Sequence, residues 1–325
     1  MIFVPAPSLL DSAFDLATLI FISALIVLSI LSLCFIFHLR FESKSLTHLQ
    51  NFNSLWTVRF LLVLFILLWG IAELFRLPIY RRRNLHSFLP SLGVIAQDNF
   101  CKAHVIVSLG FFEPAFLVTL LFFLNASISQ KTPNDTWAIS FVNVTCLPVA
   151  LVQAILIFLN PLEDRLPGFS RLTSTSVVLS DATGNETVLC TFPLLNSIAF
   201  GVFGIAYAIW FVASCRKVLS LVINKGLRRR IYGLALTVLI ALLLQIVSLV
   251  LTILWGPEEV AYAVFSLVAF LCPFACAAVG QGVLVIQPIS DALDAGGSCC
   301  RWRPSISLSM KSETTEAEPE VASNV

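Results

Sequence analysis

Seven long apolar segments recur along the chain and are separated by shorter stretches that hold most of the charged residues. Roughly 20 consecutive apolar residues are enough for an α-helix to cross the hydrocarbon core of a bilayer. The pattern therefore predicts an all-α fold, a polytopic membrane protein built as a seven-transmembrane-helix bundle. The predicted spans are 14–38, 55–75, 103–126, 138–159, 192–214, 231–254 and 260–286.

The spans divide the chain into an N-terminal segment (1–13), the helical bundle (14–286) and a tail (287–325). The first span is too long for a signal peptide and no basic residue precedes it, so we expect it to be retained. The tail ends in the acidic, serine-rich sequence KSETTEAEPEVASNV, a composition that predicts disorder.

Composition agrees with a protein that lies mostly in lipid. Hydrophobic residues make up 58% of the chain and charged residues 12%, and the mean hydropathy is +0.92. The net charge of +1 gives no indication of nucleic-acid binding. The bilayer is therefore the first partner to expect.

Basic residues predict the orientation, because short cytoplasmic loops carry an excess of Lys and Arg. With the N-terminus outside and the C-terminus in the cytoplasm, thirteen of the twenty basic residues lie on the inner side, although the RRR triplet at 81–83 lies outside and violates the rule. The sequon Asn185-Glu186-Thr187 then lies in an outer loop, where Asn185 is a candidate glycosylation site.

Two pairs of cysteines lie outside the predicted spans. Cys101 and Cys190 precede the third and fifth spans on the side predicted to be outer, where a disulfide would hold the 160–191 loop over the bundle. The alternative is two unpaired thiols. Cys299 and Cys300 lie beside basic and aromatic residues after the last span, which indicates palmitoylation.

Glu113 is the deepest ionisable residue in a predicted span. It lies about 11 residues into the third span, roughly 16 Å from its start and near the membrane midplane. A charge at that depth must face the bundle interior or water, and Pro114 is expected to kink the helix and free the carbonyl of Gly110. Either Glu113 belongs to a ligand site, or it is protonated and hydrogen-bonds a neighbouring helix. The candidate partners are Gln153, Asn196, Gln245 and Gln281, which together with Glu113 are the candidate ligand-binding residues.

Sequence signals for enzyme chemistry are missing. The histidines have no HExxH spacing, and neither a GxSxG motif nor a phosphate-binding glycine loop occurs. We therefore expect no enzyme activity, no metal site and no cofactor. Glu73, near the outer end of the second span, has Arg76 one helical turn away, and a local ion pair suffices to explain both.

The segment 215–230, CRKVLSLVINKGLRRR, contains six basic residues and no acid. On a cytoplasmic face such a loop attracts anionic lipid or an acidic protein surface, and it also serves as a topology signal. The candidate partner-binding residues are Arg216, Lys217, Lys225, Arg228, Arg229 and Arg230.

The stretches FNSLWTVRFLLVLFILLWGIAELFRLP (52–78) and GFFEPAFLVTLLFFLNASI (110–128) resemble the plant seven-span proteins proposed as candidate G-protein-coupled receptors. The resemblance implies a plasma-membrane receptor that binds a heterotrimeric G-protein α subunit. The chain departs from the rhodopsin-like receptors, since LLFFLNASIS lacks the acidic-Arg-aromatic triplet and QGVLVIQP lacks NPxxY. Their ligand residues and activation switch therefore do not transfer to this chain.

Three functions remain open from the sequence. The first hypothesis is a receptor in which a small-molecule ligand or another partner, not identifiable from sequence, shifts a helix equilibrium around Pro114 and changes what the basic loop contacts. The second is a transporter or channel in which Glu113 carries a proton or cation. The third is a membrane scaffold with neither activity.

Overall fold

The computed structural model of the 325-residue chain describes residues 7–42, 55–77, 94–128, 135–159, 174–180, 186–222, 225–255 and 259–290. Of these residues, 93% are helical. The chain divides into two compact units, Met1–Pro288 and Ile289–Val325, and the helices and strands named below all lie in the first.

The described residues contain seven helices that are long and apolar enough to cross a membrane, as predicted, and they indicate an integral membrane protein. Helix α3 comprises Val94–Val107, a π-helical turn at Ser108–Phe112, and Glu113–Ile128; helix α7 comprises Val260–Gln281 and a π-helical turn at Gly282–Ile286. The remaining helices are α1 (Pro7–Glu42), α2 (Trp56–Arg76), α4 (Asp135–Leu159), α5 (Leu194–Leu221) and α6 (Lys225–Leu254).

Several helices extend beyond the predicted apolar spans. Helix α1 begins at Pro7 rather than near residue 14, α5 continues to Leu221, and α6 begins at Lys225 rather than at 231. Lys and Arg are good helix formers, so the charged residues that end an apolar segment do not end its helix. Proline is also well suited to the first turn of a helix.

Helix α3 lies at the centre of the bundle. It packs against α2, α4 and α5 and also contacts α7, while α1, α2 and α7 adjoin one another and α6 packs between α5 and α7. Within the most apolar stretch of each helix, 78% of the residues are buried in α3, compared with 28% in α1 and 22% in α4. A polar side chain near the middle of α3 therefore faces other helices, whereas the outer faces of α1 and α4 present large apolar side chains, as lipid contact requires.

A small β-hairpin is an exception to the all-α prediction. Strands β1 (Ser176–Ser180) and β2 (Glu186–Cys190) pair antiparallel, with Ser176 opposite Cys190 and Ser180 opposite Glu186. The sequence predicts only a loop in this region. Two strands of five residues pair through backbone hydrogen bonds, but the hydrophobic pattern of the long spans dominates the sequence and hides so short a pair.

The two ends of the bundle differ in the residues that lie there. The hairpin end is defined by Arg76, Cys101, Cys190 and Tyr262, where the Tyr262 hydroxyl donates to the Cys190 carbonyl at 3.5 Å. The basic end is defined by the exposed residues Arg216, Lys217, Lys225, Arg228, Arg229 and Arg230 at the junction of α5 and α6.

The distortion at Pro114 is a π-helical turn. The Glu113 amide donates to the carbonyl of Ser108, five residues earlier, and Pro114 has no amide hydrogen to continue the regular pattern. The sequence predicted a kink with a free Gly110 carbonyl and did not predict the π turn. The extra residue changes which side chains of α3 share a face.

Gly110, inside the π turn, lies very close to α4. A methyl group added there would be 3.0 Å from Cα of Ala150 and 3.2 Å from Cγ of Gln153. We expect Gly110→Ala to lower the free energy of unfolding by about 1–3 kcal/mol, because α3 and α4 would have to separate. Thermal unfolding in detergent measures the change. Gly233→Ala is the control, since nothing lies within 4 Å of its added methyl group; equal stability of the two variants would contradict the close approach.

Candidate functional site

Glu113 is buried at the centre of the bundle, close to the middle of the span Gln97–Ala126. Among the described residues, three side chains lie within hydrogen-bond distance of its carboxyl group. The Trp69 indole Nε1 donates to Oε1 at 3.2 Å, the Gln245 amide Nε2 donates to Oε2 at 2.5 Å, and the Ser108 hydroxyl lies 3.5 Å from Oε1. Helices α2, α3 and α6 therefore meet at this one carboxyl group.

A second buried carboxyl group, that of Glu73, lies nearer the hairpin end. Its Oε1 accepts from the Ser108 hydroxyl at 2.9 Å and lies 3.2 Å from His104 Nε2, while its Oε2 lies 3.4 Å from Arg76 Nε. The expected ion pair with Arg76 is present, but it is only one of several contacts. Arg76 also donates to the Ser266 hydroxyl at 3.4 Å, which links α2 to α7.

Helical periodicity explains most of this arrangement. Trp69, Glu73 and Arg76 are spaced four and three residues apart, so they share one face of α2, and His104 and Ser108 share one face of α3 in the same way. Ser108 and Glu113 are five residues apart, which in a regular α-helix would separate them by roughly 140° around the axis. The π turn between them removes most of that rotation, so both side chains face α2.

The two carboxyl groups line a small cavity. About 10 Å³ of it is open to the centre of a water molecule, which is room for about one water. Trp69 and Phe270, which both line the cavity, stack on each other with ring centroids 5.7 Å apart, and the Arg76 guanidinium lies 5.2 Å from the Phe192 ring at the hairpin end. The lining residues are Trp69, Glu73, Arg76, Leu109, Glu113, Phe192, Gln245, Leu249, Ala269, Phe270 and Pro273.

The other predicted partners of Glu113 lie elsewhere. Gln153 Nε2 donates to the Asn196 carbonyl at 3.0 Å, and Asn196 Nδ2 donates to the Gln153 carbonyl at 3.1 Å, so this pair joins α4 to α5. Gln281 Nε2 donates to the Ser29 hydroxyl at 3.1 Å, which joins α7 to α1. Of the four candidates only Gln245 contacts Glu113, because each polar side chain bonds the helix that its own face adjoins.

A disulfide joins Cys101 at the start of the third span to Cys190 at the end of β2, with their Cα atoms 5.2 Å apart. Both cysteines are buried together with Val188. The hairpin is also held at its base, where the Ser176 hydroxyl donates to Asp98 and the Thr191 amide donates to the Thr175 carbonyl at 2.9 Å. Phe192, which lines the cavity, follows directly in the chain.

The remaining predicted sites divide into two groups. The candidate glycosylation site Asn185 and the candidate palmitoylation sites Cys299 and Cys300 lie outside the described residues. The six candidate partner-binding residues are described, and all of them are exposed at the basic end.

Sequence reasoning missed Trp69, His104 and Ser108 as members of the site, and it assigned Glu73 to a local ion pair alone. Two signals were available. His104 and Ser108 are spaced i,i+4 in the third predicted span, and Trp69 and Glu73 are spaced i,i+4 in the second. Trp69 could have been matched with the buried Glu113 and His104 with Glu73, because polar groups inside a membrane need partners.

A sequence model for a protein family described as "Uncharacterised conserved protein UCP031277" matches residues 4–298, most of the 325-residue chain. The chain belongs to this family. The match covers all seven helices and the hairpin, so the buried network lies within the region that defines the family. No curated protein and no solved structure matched the chain in the corresponding searches.

Proposed function

We propose that this protein is a receptor of the plasma membrane that binds a ligand from the hairpin end and signals through a heterotrimeric G-protein α subunit at the basic end. The observation that carries the proposal is a path of polar groups that, among the described residues, leads to Glu113 from the hairpin end alone. Polar groups lead from the half-buried Arg76 through the buried Glu73 to the buried Glu113 and line a cavity at that end.

The disulfide-anchored hairpin supports a binding role for this end. It places Phe192 against Arg76 at the mouth of the cavity, while the bond between Cys101 and Cys190 fixes the hairpin to α3. A ligand that moves the hairpin would thereby act directly on α3. Since α3 also carries Glu113 and the π turn, such a movement can be passed along the central helix.

Apolar packing between Glu113 and the basic end supports binding over transport. Going from Glu113 toward the basic end, most of the next side chains of α2, α3 and α6 that face inward are apolar and almost completely buried: Leu62, Ile66, Phe116, Leu120 and Leu242. Thr119 is also buried there, but its hydroxyl donates to the Ala115 carbonyl of its own helix. A transporter needs access to its site from both sides in turn. This arrangement offers a polar path to one side, which suits a receptor.

The basic end has the charge that a G-protein contact needs. All six basic residues are exposed where α5 ends and α6 begins, and a positively charged surface attracts an acidic protein surface. A shift of α3 against α5 and α6 would change the spacing of these charges. The proposal requires that ligand binding favour one of two such arrangements.

Neutralising Arg228, Arg229 and Arg230 to alanine is expected to weaken binding of a purified G-protein α subunit about tenfold or more, because the electrostatic attraction is lost. Binding is measured with the full chain in lipid nanodiscs at two salt concentrations. The matched control changes the same residues to lysine, which keeps the charge. Equal binding by the alanine variant and the unmodified protein, or no binding by any form of the folded protein, would contradict the proposal.

A further inference from the structure

We infer that the ligand of the buried site is a proton, taken up by Glu113 from the hairpin side of the membrane. The inference rests on the proposed receptor function and names what the receptor detects, the pH of the compartment at its hairpin end.

The partners of Glu113 can accommodate either protonation state. Trp69 Nε1 can only donate, so it bonds Oε1 whether or not Glu113 carries a proton. The Gln245 amide has a donor end and an acceptor end. It donates to Oε2 of the carboxylate, and after a rotation of the amide group it accepts the hydrogen of the carboxylic acid at the same oxygen. Each oxygen of Glu113 can therefore keep a hydrogen-bond partner in both protonation states.

The buried charges favour one added proton. Glu73 and Glu113 as carboxylates and Arg76 as a cation give a net charge of −1, and an uncompensated charge is costly away from water. One proton on either Glu113 or His104 brings the group to neutrality. The other groups facing Glu113 carry no charge in their ordinary state: Ser108 on α3, Trp69 on α2, Gln245 on α6, and Cys272 and Cys276 on α7.

The structure favours Glu113 over His104 as the carrier. An imidazolium must donate from both ring nitrogens. His104 Nε2 lies 3.2 Å from Glu73, but the buried Nδ1 has no hydrogen-bond partner among the described residues. A proton on His104 would therefore leave an unpaired buried donor, whereas a proton on Glu113 has the Gln245 amide as its acceptor.

A metal ion fits the site less well than a proton. The indole of Trp69 and the amide of Gln245 point N–H groups at both carboxylate oxygens, and these donors would have to move away from a cation. Across the described residues no three His, Cys, Asp or Glu side chains are grouped closely enough to hold a metal ion. The cavity, with room for about one water, is large enough to deliver a proton.

The proton reaches Glu113 from the hairpin side of the membrane. The cavity beside Glu113 is lined by Glu73 and, at its mouth, by Arg76 and Phe192, and water can carry the proton between these groups. On the opposite side the path meets the buried apolar side chains of Phe116 and Leu120. The proton is therefore exchanged with the outer compartment in the orientation that the sequence predicts.

The test is infrared difference spectroscopy of the full chain in nanodiscs as the pH is changed from about 4 to about 9, which follows the C=O stretch of a protonated carboxyl group. We expect one buried carboxyl band that titrates, is absent from Glu113→Gln, and persists in Glu259→Gln, where the substituted residue is exposed. Glutamine keeps the shape and can accept from Trp69, so the variant should fold; a thermal melt of each variant confirms this.

A titrating band that persists in folded Glu113→Gln, the lack of any titrating band, or a band that follows sodium rather than pH would overturn the inference. Binding of the G-protein α subunit is measured separately on the same samples. If binding depends on Arg228–Arg230 but no Glu113 band titrates, the proton site is wrong and the receptor proposal stands. If the Glu113 band titrates without any G-protein binding, the proton site stands and the receptor proposal fails.

Discussion

Replacing Glu73 with alanine is expected to lower the free energy of unfolding by about 3–5 kcal/mol, since removing one member of a buried charged pair leaves the other without compensation. The Glu73 carboxyl group is bonded to Arg76 on its own helix and to His104 and Ser108 on α3. Its loss would remove the hydrogen-bond partner of His104 and one partner each of Arg76 and Ser108. Chemical or thermal unfolding in detergent, followed by circular dichroism, measures the effect.

Two variants make this result specific. Glu259→Ala removes an exposed carboxyl group and should change the stability by less than about 0.5 kcal/mol. Glu73→Gln keeps one acceptor oxygen and should fall between the two alanine variants. If Glu73→Ala melted together with Glu259→Ala, the network around Glu73 would not contribute to stability, and its role in the site would have to be abandoned.

Removing the disulfide by changing both Cys101 and Cys190 to serine is expected to cost about 2–5 kcal/mol. The bond links residues 89 positions apart in the chain, so its loss frees a large loop in the unfolded state. The hairpin would also lose its covalent attachment to α3, and we expect faster hydrogen exchange at the backbone amides of β1 and β2. Mass spectrometry of exchanged peptides measures this local effect.

Cys34→Ser is the matched control, because Cys34 is a free and exposed cysteine. It should leave both the melting temperature and the exchange of the hairpin unchanged. A reductant should shift the melting temperature of the unmodified protein toward that of the double variant and should not affect the double variant itself. Equal melting temperatures of all three proteins under oxidising conditions would contradict the proposed anchoring role.

The burial of Glu113 was predictable from the sequence, but most of its hydrogen-bond partners were not. The apolar run around GFFEPAF indicated a buried carboxyl group near the middle of the third span, and the structure places it there. The four proposed amide partners were found by residue type alone, and only Gln245 contacts it. Helical periodicity predicts which face a residue occupies, but it does not predict which helix lies against that face.

By itself, the sequence determined the number of helices, their approximate length and their apolar outer faces. The reason is that a chain in lipid must form its backbone hydrogen bonds internally. An apolar segment of about 20 residues does so by forming an α-helix that crosses the bilayer. Tertiary structure decided the rest of the site. It paired Trp69 and Gln245 with Glu113 and paired Glu73 with His104 and Ser108.

The π turn belongs to the part that only tertiary structure decided. Pro114 prevents a regular hydrogen bond, but a kink and a π turn both satisfy that constraint. The close contact of Gly110 with Ala150 is made across two helices, and the turn that contains Gly110 brings Ser108 and Glu113 onto one face. Such a choice depends on packing between segments distant in the chain, which local sequence patterns do not contain.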